Sequence, residues 1–491
     1  MHEHKLKRQL GLLHAVMIGV GASIGAGVFV LLGPAAAMAG PSVVLGLLLS
    51  GIVNLFTIFS FCELGAALPE VGGEHVYVKT AFGGLLGFIT GWFEWLSEMF
   101  YAVIMAMGAA IMLSFYLPIG DYMYLVAALL VIIFTLVNLK GTREAGTTAV
   151  VLGLTLLLVL GVYVVSGWLQ GFRPNAFTPF MPNGIFATMT ATAFLFVVYL
   201  GAEDIVIAQG EVKEPSKTIP RAIIINSIIL IFVYTIIAYT TVGLVPHEEL
   251  GASSAPLALA AEKTILGPVG VFIITIAGLI AALSSLNTAI MAQSRVIYSM
   301  GWEGYFPRFL AKVHKGYGTP YMALLLASVF TIAFTVMGAL EFATYASSFG
   351  FLIGYSLTNL ALMKLREAKP HLERPFKAPF YPLTPIISIA ATFMLLAFIQ
   401  PIVLALGAGF TVLAILVYSG SMLGYQRIRI ALGGISLGVG ISALVSAHLL
   451  NIGTLTLTLT LNPELLAFLP YGFVVFGAIL VSVGTLNIVR T

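Results

Sequence analysis

The sequence predicts an all-α integral membrane protein with about 14 membrane-spanning helices. Of its 491 residues, 59% are hydrophobic and only 9% are charged, whereas soluble domains carry about 25% charged residues. Apolar runs of the length that crosses a bilayer recur along the whole chain. The alternating pattern of membrane β-barrels is not dominant. These observations leave no segment polar enough for a separate soluble domain.

The predicted spans follow the apolar runs. They are 10–39, 42–68, 83–113, 122–139, 147–170, 185–211, 221–245, 268–299, 320–339, 342–363, 383–403, 406–424, 430–450 and 466–489. Pro401 and a glycine pair interrupt one run, which we divide into spans eleven and twelve. We expect segment 246–267 to form a short amphipathic helix over the outer face.

The basic residues predict the orientation. If residues 1–9 are cytoplasmic, all of the 23 lysines and arginines except Arg173 and Lys263 fall on the cytoplasmic side. This is the asymmetry expected of a multi-pass protein of the cell membrane. Because the number of spans is even, both termini are predicted to be cytoplasmic.

The sequence argues against several functional classes. Cys62 is the only cysteine, so an intrachain disulfide or a cysteine-based metal cluster is excluded. The chain contains neither GxxxxGK[ST] nor HExxH, which argues against an ATP-driven pump and a zinc protease. The net charge of +3 follows from topology and indicates no nucleic-acid partner. We expect no enzymatic activity, no cofactor and no resident metal, and the bilayer is the expected surrounding.

A glycine-rich stretch, GVGASIGAGVFVLLG (19–33), lies inside the first span. Glycine is a weak helix former, and non-helical backbone at membrane depth is tolerated where it lines a cavity or is buried in protein. An interruption there would offer N–H groups to an anion and carbonyl groups to a cation. Close helix packing is the alternative explanation.

The sixth span carries Gly201, Glu203 and Asp204 inside FLFVVYLGAEDIVIAQ (194–209). Charged residues at membrane depth usually face a cavity or a partner, although a short span that ends at these acids would explain them too. Spans one and six begin two sets of five spans, and paired interruptions in corresponding positions are typical of a transporter's central site.

Four segments resemble the amino acid–polyamine–organocation superfamily of amino acid permeases. They are GASIGAGVF (21–29), CELGAALPEVGGEHVYV (62–78), YLGAEDIVIAQGEVKEPSKTIPRAI (199–223) and SSLNTAIMAQSRVIYSMGWEGYFP (284–307). The span count is similar to that of the cationic amino acid transporter subgroup. The resemblance implies a leucine-transporter-like fold of two inverted five-helix repeats, 10–180 and 181–363, followed by helices 11–12 (364–425) and 13–14 (426–491).

The resemblance also implies a substrate site for an amino acid. Its carboxylate would meet the N–H groups of Gly25, Ala26 and Gly27, and its ammonium would meet the carbonyls of Ser23, Val197, Val198 and Leu200. Tyr199 and Glu203 match positions that the family uses for occlusion and for substrate or gate contact. At Ala202, where the family often has phenylalanine, the chain departs from the pattern.

The eighth span suggests a coupling-ion site. Ala281, Ser284 and Ser285 are neighbours on one helix face, and sodium-coupled relatives of this fold use such hydroxyls together with first-helix carbonyls. With the Gly21 and Ile24 carbonyls they would supply about five oxygen ligands to a hard cation. Serines that bond back to their own helix are the alternative. The lysine of proton-coupled relatives is replaced by Leu156.

Glu94 and Glu98 lie one turn apart near the middle of span three. A proton relay, selection of a cationic side chain and a buried hydrogen-bonded carboxyl all explain the pair. The sequence therefore predicts a secondary active amino acid transporter that works by alternating access, with sodium symport favoured. A proton-coupled or uncoupled exchanger of cationic amino acids or polyamines is the alternative.

Overall fold

Helices form nearly all of the regular structure in the computed structural model. It describes residues 10–68, 73–140, 146–202, 205 and 212–422, with the main chain alone described at 146–149 and 420–422. The α-helices are α1 (Leu12–Ser23), α2 (Ala26–Ala39), α3 (Val43–Ala67), α4 (Gly73–Phe82), α5 (Gly84–Leu113), α6 (Met123–Lys140), α7 (Gly146–Leu169), α8 (Gly184–Leu195), α9 (Pro215–Leu244), α10 (His247–Ala252), α11 (Pro256–Glu262), α12 (Gly267–Trp302), α13 (Tyr321–Val336), α14 (Leu340–Ala368), α15 (Leu383–Leu396) and α16 (Pro401–Met422).

Eight helical segments of the described residues are long and apolar enough to cross a membrane. The eight are Ala26–Ala67, Gly84–Leu113, Gly120–Lys140, Val150–Leu169, Pro215–Leu244, Gly267–Trp302, Leu340–Ala368 and Pro401–Ser419. The shorter apolar helices α1, α8, α13 and α15 lie in the regions predicted as spans one, six, nine and eleven, and α1 and α8 form only the first part of their spans. Spans thirteen and fourteen lie outside the described residues, so the number of 14 stays a prediction.

The boundary predicted between spans eleven and twelve and the single helix predicted for segment 246–267 were both wrong. Pro401 begins α16, because a proline at the first helical position lacks only an N–H that would be unbonded anyway. It therefore separates α15 from α16 at 397–400 instead of interrupting span eleven. Segment 246–267 contains two short helices, α10 and α11, and in the turn between them the Ala255 N–H donates to Ser253 Oγ (3.2 Å).

The core of the bundle is α5. In the most apolar 18-residue stretch of α5, 94% of the residues are buried, as expected for a helix that is apolar on all sides. It packs against α12 on one side and α14 on another, with α2 and α4 also in contact. Most polar side chains on α5 are therefore enclosed by protein, while Glu94 is half-buried.

The short helix α4, which the sequence analysis did not predict, is held by an ionic cluster at one end of the bundle. His75 is 1% exposed; its Nδ1 lies 2.7 Å from Gly87 O and its Nε2 2.9 Å from Glu303 Oε2. Lys79 Nζ lies 2.8 Å from the same carboxylate oxygen. Burial raises the pKa of Glu303, but the hydrogen bonds and charges of His75 and Lys79 outweigh it and lower the pKa below its ordinary value.

A second ionic cluster at this end joins α3 to α14. Glu63 is fully buried, and Arg366 donates to both of its oxygens, Nε to Oε1 (2.9 Å) and Nη2 to Oε2 (2.6 Å). Arg374 Nε lies 3.1 Å from Glu63 Oε1, and the Ala378 N–H donates to Oε2 (2.6 Å). One carboxylate thus fixes the end of α3, the end of α14 and the segment that follows.

The start of the described chain is tied to the segment before α9. The Lys213 N–H donates to Leu10 O (2.9 Å), and Leu10 and Val212 form a parallel bridge. The two predicted interrupted spans are thus joined at this end by main-chain hydrogen bonding.

Candidate substrate site at two interrupted helices

The first interruption separates α1 from α2. Ile24 (φ −79°, ψ 90°) and Gly25 (φ −106°, ψ −161°) are extended between them. Any residue can adopt these angles. Glycine is needed at position 25 because there is no room for a side chain. A Cβ there would contact Met105 Sδ and lie 2.9 Å from Ser285 Oγ. The predicted interruption of span one is therefore present.

The second interruption follows α8. A 3₁₀ turn covers Phe196–Tyr199, Leu200 is extended (φ −73°, ψ 159°), and Gly201 has φ +97°. Glycine is the residue that adopts this left-handed region without strain. Glu203 and Asp204, the acids that follow in the sequence, lie outside the described residues.

The two interruptions contact each other directly. A Cβ on Gly201 would lie 3.1 Å from the carbonyl carbon and oxygen of Ala22, and one on Gly27 would lie 2.9 Å from Val198 Cγ1. The described residues predicted for the substrate site are buried on both sides of this contact. The structure therefore brings the first-span residues 23–27 together with 197–201.

Side chains from α9 hold the first interruption. Tyr234 OH donates to Ser23 O (3.0 Å), and Asn226 Nδ2 donates to Ser23 Oγ (3.2 Å). Both side chains are buried. The Ser23 carbonyl, one of the four predicted to receive the substrate ammonium, thus already accepts a hydrogen bond from Tyr234.

Other helices hold the second interruption. Ser348 Oγ of α14 accepts the Val197 N–H (3.2 Å), and Asn54 Nδ2 of α3 lies 3.4 Å from Tyr199 O. Tyr199 OH donates to Leu47 O (2.8 Å), so this predicted occlusion residue is fixed against α3.

Several of these residues were not predicted from the sequence. Asn54 and Asn226 are carboxamides in the middle of long apolar runs, a signal that could have identified them. Nothing local distinguishes Tyr234, Ser348 or Met105 from packing residues. Among the described residues, neither Asn54 Oδ1 nor Asn226 Oδ1, both buried beside the interruptions, has a hydrogen-bond partner.

The serines of the predicted ion site contact the first span. Ser284 Oγ donates to Gly21 O (3.2 Å), and Ser285 Oγ donates to Ala22 O (2.9 Å). These cross-helix bonds differ from the back-bonding that the alternative interpretation expects. Ser285 is paired with Ala22, which the sequence analysis did not include. Ala281 lies one turn before Ser285, and Ile24 lies within the interruption itself.

The predicted acid pair is part of the continuous helix α5. Glu98 is buried at 6% exposure. Glu94 lies beside the start of α4, where a Cβ on Gly73 would be 3.2 Å from its Oε1. The two carboxyls are one turn apart, as predicted, but Glu94 faces the ionic end of the bundle.

Comparison with known proteins identifies the family. A family model described as amino acid permease matches residues 10–421. The methylthioribose transporter of Bacillus subtilis is 26% identical over 406 residues, 78% of this chain and 86% of the relative. The branched-chain amino acid permease BcaP of the same organism is 25% identical over 410 residues, 79% of this chain and 87% of the relative.

A mammalian relative extends the comparison. The large neutral amino acids transporter small subunit 2 of Mus musculus is 30% identical over 439 residues, 84% of this chain and 81% of the relative. These relatives are permeases and transporters, and the family model extends over both interruptions. The chain is therefore a membrane transport protein and not an enzyme, and it belongs to the amino acid permease family of the amino acid–polyamine–organocation superfamily.

Proposed function

We propose that this chain is a secondary active transporter that moves neutral amino acids across the cytoplasmic membrane by alternating access, in symport with sodium. The observation that carries the proposal is the direct contact of two interrupted helices within the buried core. Each interruption takes main-chain groups out of the helical hydrogen-bonding pattern where water is excluded, which suits a solute charged at both ends.

The substrate carboxylate binds at the start of α2, where helix N–H groups and the positive end of the helix dipole favour an anion. The ammonium binds at the ends of α1 and of the 3₁₀ turn. The carboxylate donors are the N–H groups of Gly25, Ala26 and Gly27, and the ammonium acceptors are the carbonyls of Ser23, Val197, Val198 and Leu200.

The walls of the site favour a neutral side chain. Ile24, Met105, Val198 and Leu200 are large apolar side chains at the interruptions, and all four are buried. Ala202, also buried, leaves more room than a phenylalanine would. The relatives named for branched-chain and large neutral amino acids carry substrates of this type.

Alternating access follows from the two sets of five spans. Each set, 10–180 and 181–363, begins with an interrupted helix, and we propose that they form the inverted repeats of a rocking-bundle carrier. With residues 1–9 in the cytoplasm, the ionic clusters of Glu63 and Glu303 lie on the cytoplasmic face.

Sodium binds where the end of α1 meets α12. Gly21 O, Ala22 O, Ser284 Oγ and Ser285 Oγ are paired across the two helices at 3.2 and 2.9 Å. When the serine hydroxyls rotate, their lone pairs join the carbonyls as hard oxygen ligands. Leu156 supplies no positive charge that would replace the ion.

Uptake into proteoliposomes tests the proposal. We expect leucine to accumulate with an inward sodium gradient, and Ser285→Ala to raise the sodium concentration for half-maximal uptake. Ser227→Ala is the matched control, since this buried serine donates to Ile223 O of its own helix (2.9 Å). Equal uptake when choline replaces sodium would refute sodium coupling.

The same vesicles separate the alternatives. Leucine uptake driven by a proton gradient in choline would assign coupling to protons, with Glu98 as the candidate carboxyl. Transport of lysine but not leucine would support the exchanger of cationic substrates. Single-channel currents would refute a carrier.

A further inference from the structure

Met105 contacts one of the groups that the proposed function assigns to the substrate. The Ala26 N–H at the start of α2 donates to Met105 Sδ of α5 at 3.2 Å. Met105 is 1% exposed. The thioether therefore lies inside the protein, on a donor of the proposed carboxylate site.

Two glycines permit this contact. Gly25 leaves the space that Met105 Sδ occupies, since a Cβ there would contact the sulfur. Gly108, one turn beyond Met105 on α5, faces Ala26 so closely that a Cβ would overlap the Cβ of Ala26. Both the interruption and α5 are thus shaped so that this side chain reaches the N–H group.

The chemistry of the sulfur suits a replaceable partner. A thioether is a weak hydrogen-bond acceptor on a flexible, unbranched side chain. A carboxylate forms charge-assisted hydrogen bonds that are about twice as strong as neutral ones. A substrate carboxylate that reaches α2 will therefore displace the sulfur, and a buried N–H will have a partner before and after binding.

We infer that Met105 is an internal substitute for the substrate carboxylate, which allows the carrier to close when it is empty. The inference rests on the proposed function. A carrier in net uptake must return without substrate, and a closed site with an unbonded buried N–H would be unfavourable. Met105 satisfies the Ala26 N–H during that return step and competes with the substrate during binding.

The test compares Met105→Leu with Met105→Gln. The Met105→Leu variant lacks the sulfur acceptor. We therefore expect it to bind substrate leucine about fivefold more tightly and to show about fivefold slower net uptake into empty vesicles, since a net hydrogen bond is worth about 1 kcal/mol. Exchange in vesicles preloaded with leucine, which needs no empty return, should stay within about twofold. Glutamine keeps an acceptor on an unbranched chain, so net uptake should persist and binding should weaken.

The controls identify the cause of any change. The first control is Met107→Leu. Met107 is also buried (5% exposed), but it is rotated by about 200° from Met105 around α5 and so lies nearly on the opposite face. This substitution should leave both net uptake and exchange unchanged. Leucinamide, which lacks the carboxylate, should bind equally to the wild type and to Met105→Leu.

Three results would overturn the inference. They are equal leucine affinity in Met105→Leu and wild type, equal loss of net uptake and exchange in a folded Met105→Leu, and loss of net uptake in Met105→Gln. Failure of the wild type to bind any amino acid would instead refute the proposed function.

Discussion

The Glu63 cluster gives the sharpest prediction for stability. Glu63→Gln keeps the size of the side chain but removes the only carboxylate that the structure shows between Arg366 and Arg374, whose side chains are 21% and 8% exposed. Breaking a buried ion pair by removing one partner costs about 3–5 kcal/mol. We expect a loss of unfolding free energy in this range, because two guanidinium groups then repel each other beside a neutral amide.

The assay is unfolding of the purified protein in detergent, with Glu214→Gln as the matched control. The Glu214–Lys217 pair is solvent-exposed on both sides (71% and 65%), and such pairs contribute little. Arg374→Gln should be less costly in the Glu63→Gln background than in the wild type, since it relieves the repulsion. If Glu63→Gln were as mild as Glu214→Gln, the reasoning would be refuted.

Two further predictions concern the ionic end of the bundle and the second interruption. Because the pKa of Glu303 is lowered in the folded chain, its contribution to stability is present above the ordinary glutamate pKa of about 4.3 and is lost as the pH falls through the folded value. The difference in unfolding free energy between wild type and Glu303→Gln should therefore be largest near neutral pH and vanish on acidification; a difference that grows with acidity would contradict this. Gly201→Ala should reduce uptake several-fold in a folded protein, because a Cβ would lie 3.1 Å from Ala22 and Ser23 at φ +97°, a backbone cost of about 1 kcal/mol or more. Gly161→Ala, with no atom near the added Cβ, should transport normally.

The interruption of span one was predictable because it depends on local sequence. Gly25 and Gly27 are needed where another chain segment approaches closely, and a cluster of glycines in an apolar run signals this directly. The interruption of span six was predicted from Gly201 and the acids that follow it in an apolar run, whereas the 3₁₀ turn before Gly201 was not predicted.

The partners of these interruptions were not predictable, because they depend on helix packing. Tyr234 and Met105 lie on ordinary apolar faces of α9 and α5, and their roles arise from which helices meet. The pairing of Ser285 with Ala22 instead of Ile24 depends on how α12 lies against α1. Helix α4 was missed because the whole helix is only ten residues long, shorter than any predicted span.

The hydrogen bond between Leu10 and Lys213 has a consequence for the design of expressed variants. It joins the segment before α1 to the segment that enters α9, so a rigid fusion partner that replaces residues 1–9 would pull on both of these segments. A fluorescent reporter joined there without a flexible spacer should therefore slow transport more than the same reporter joined through one.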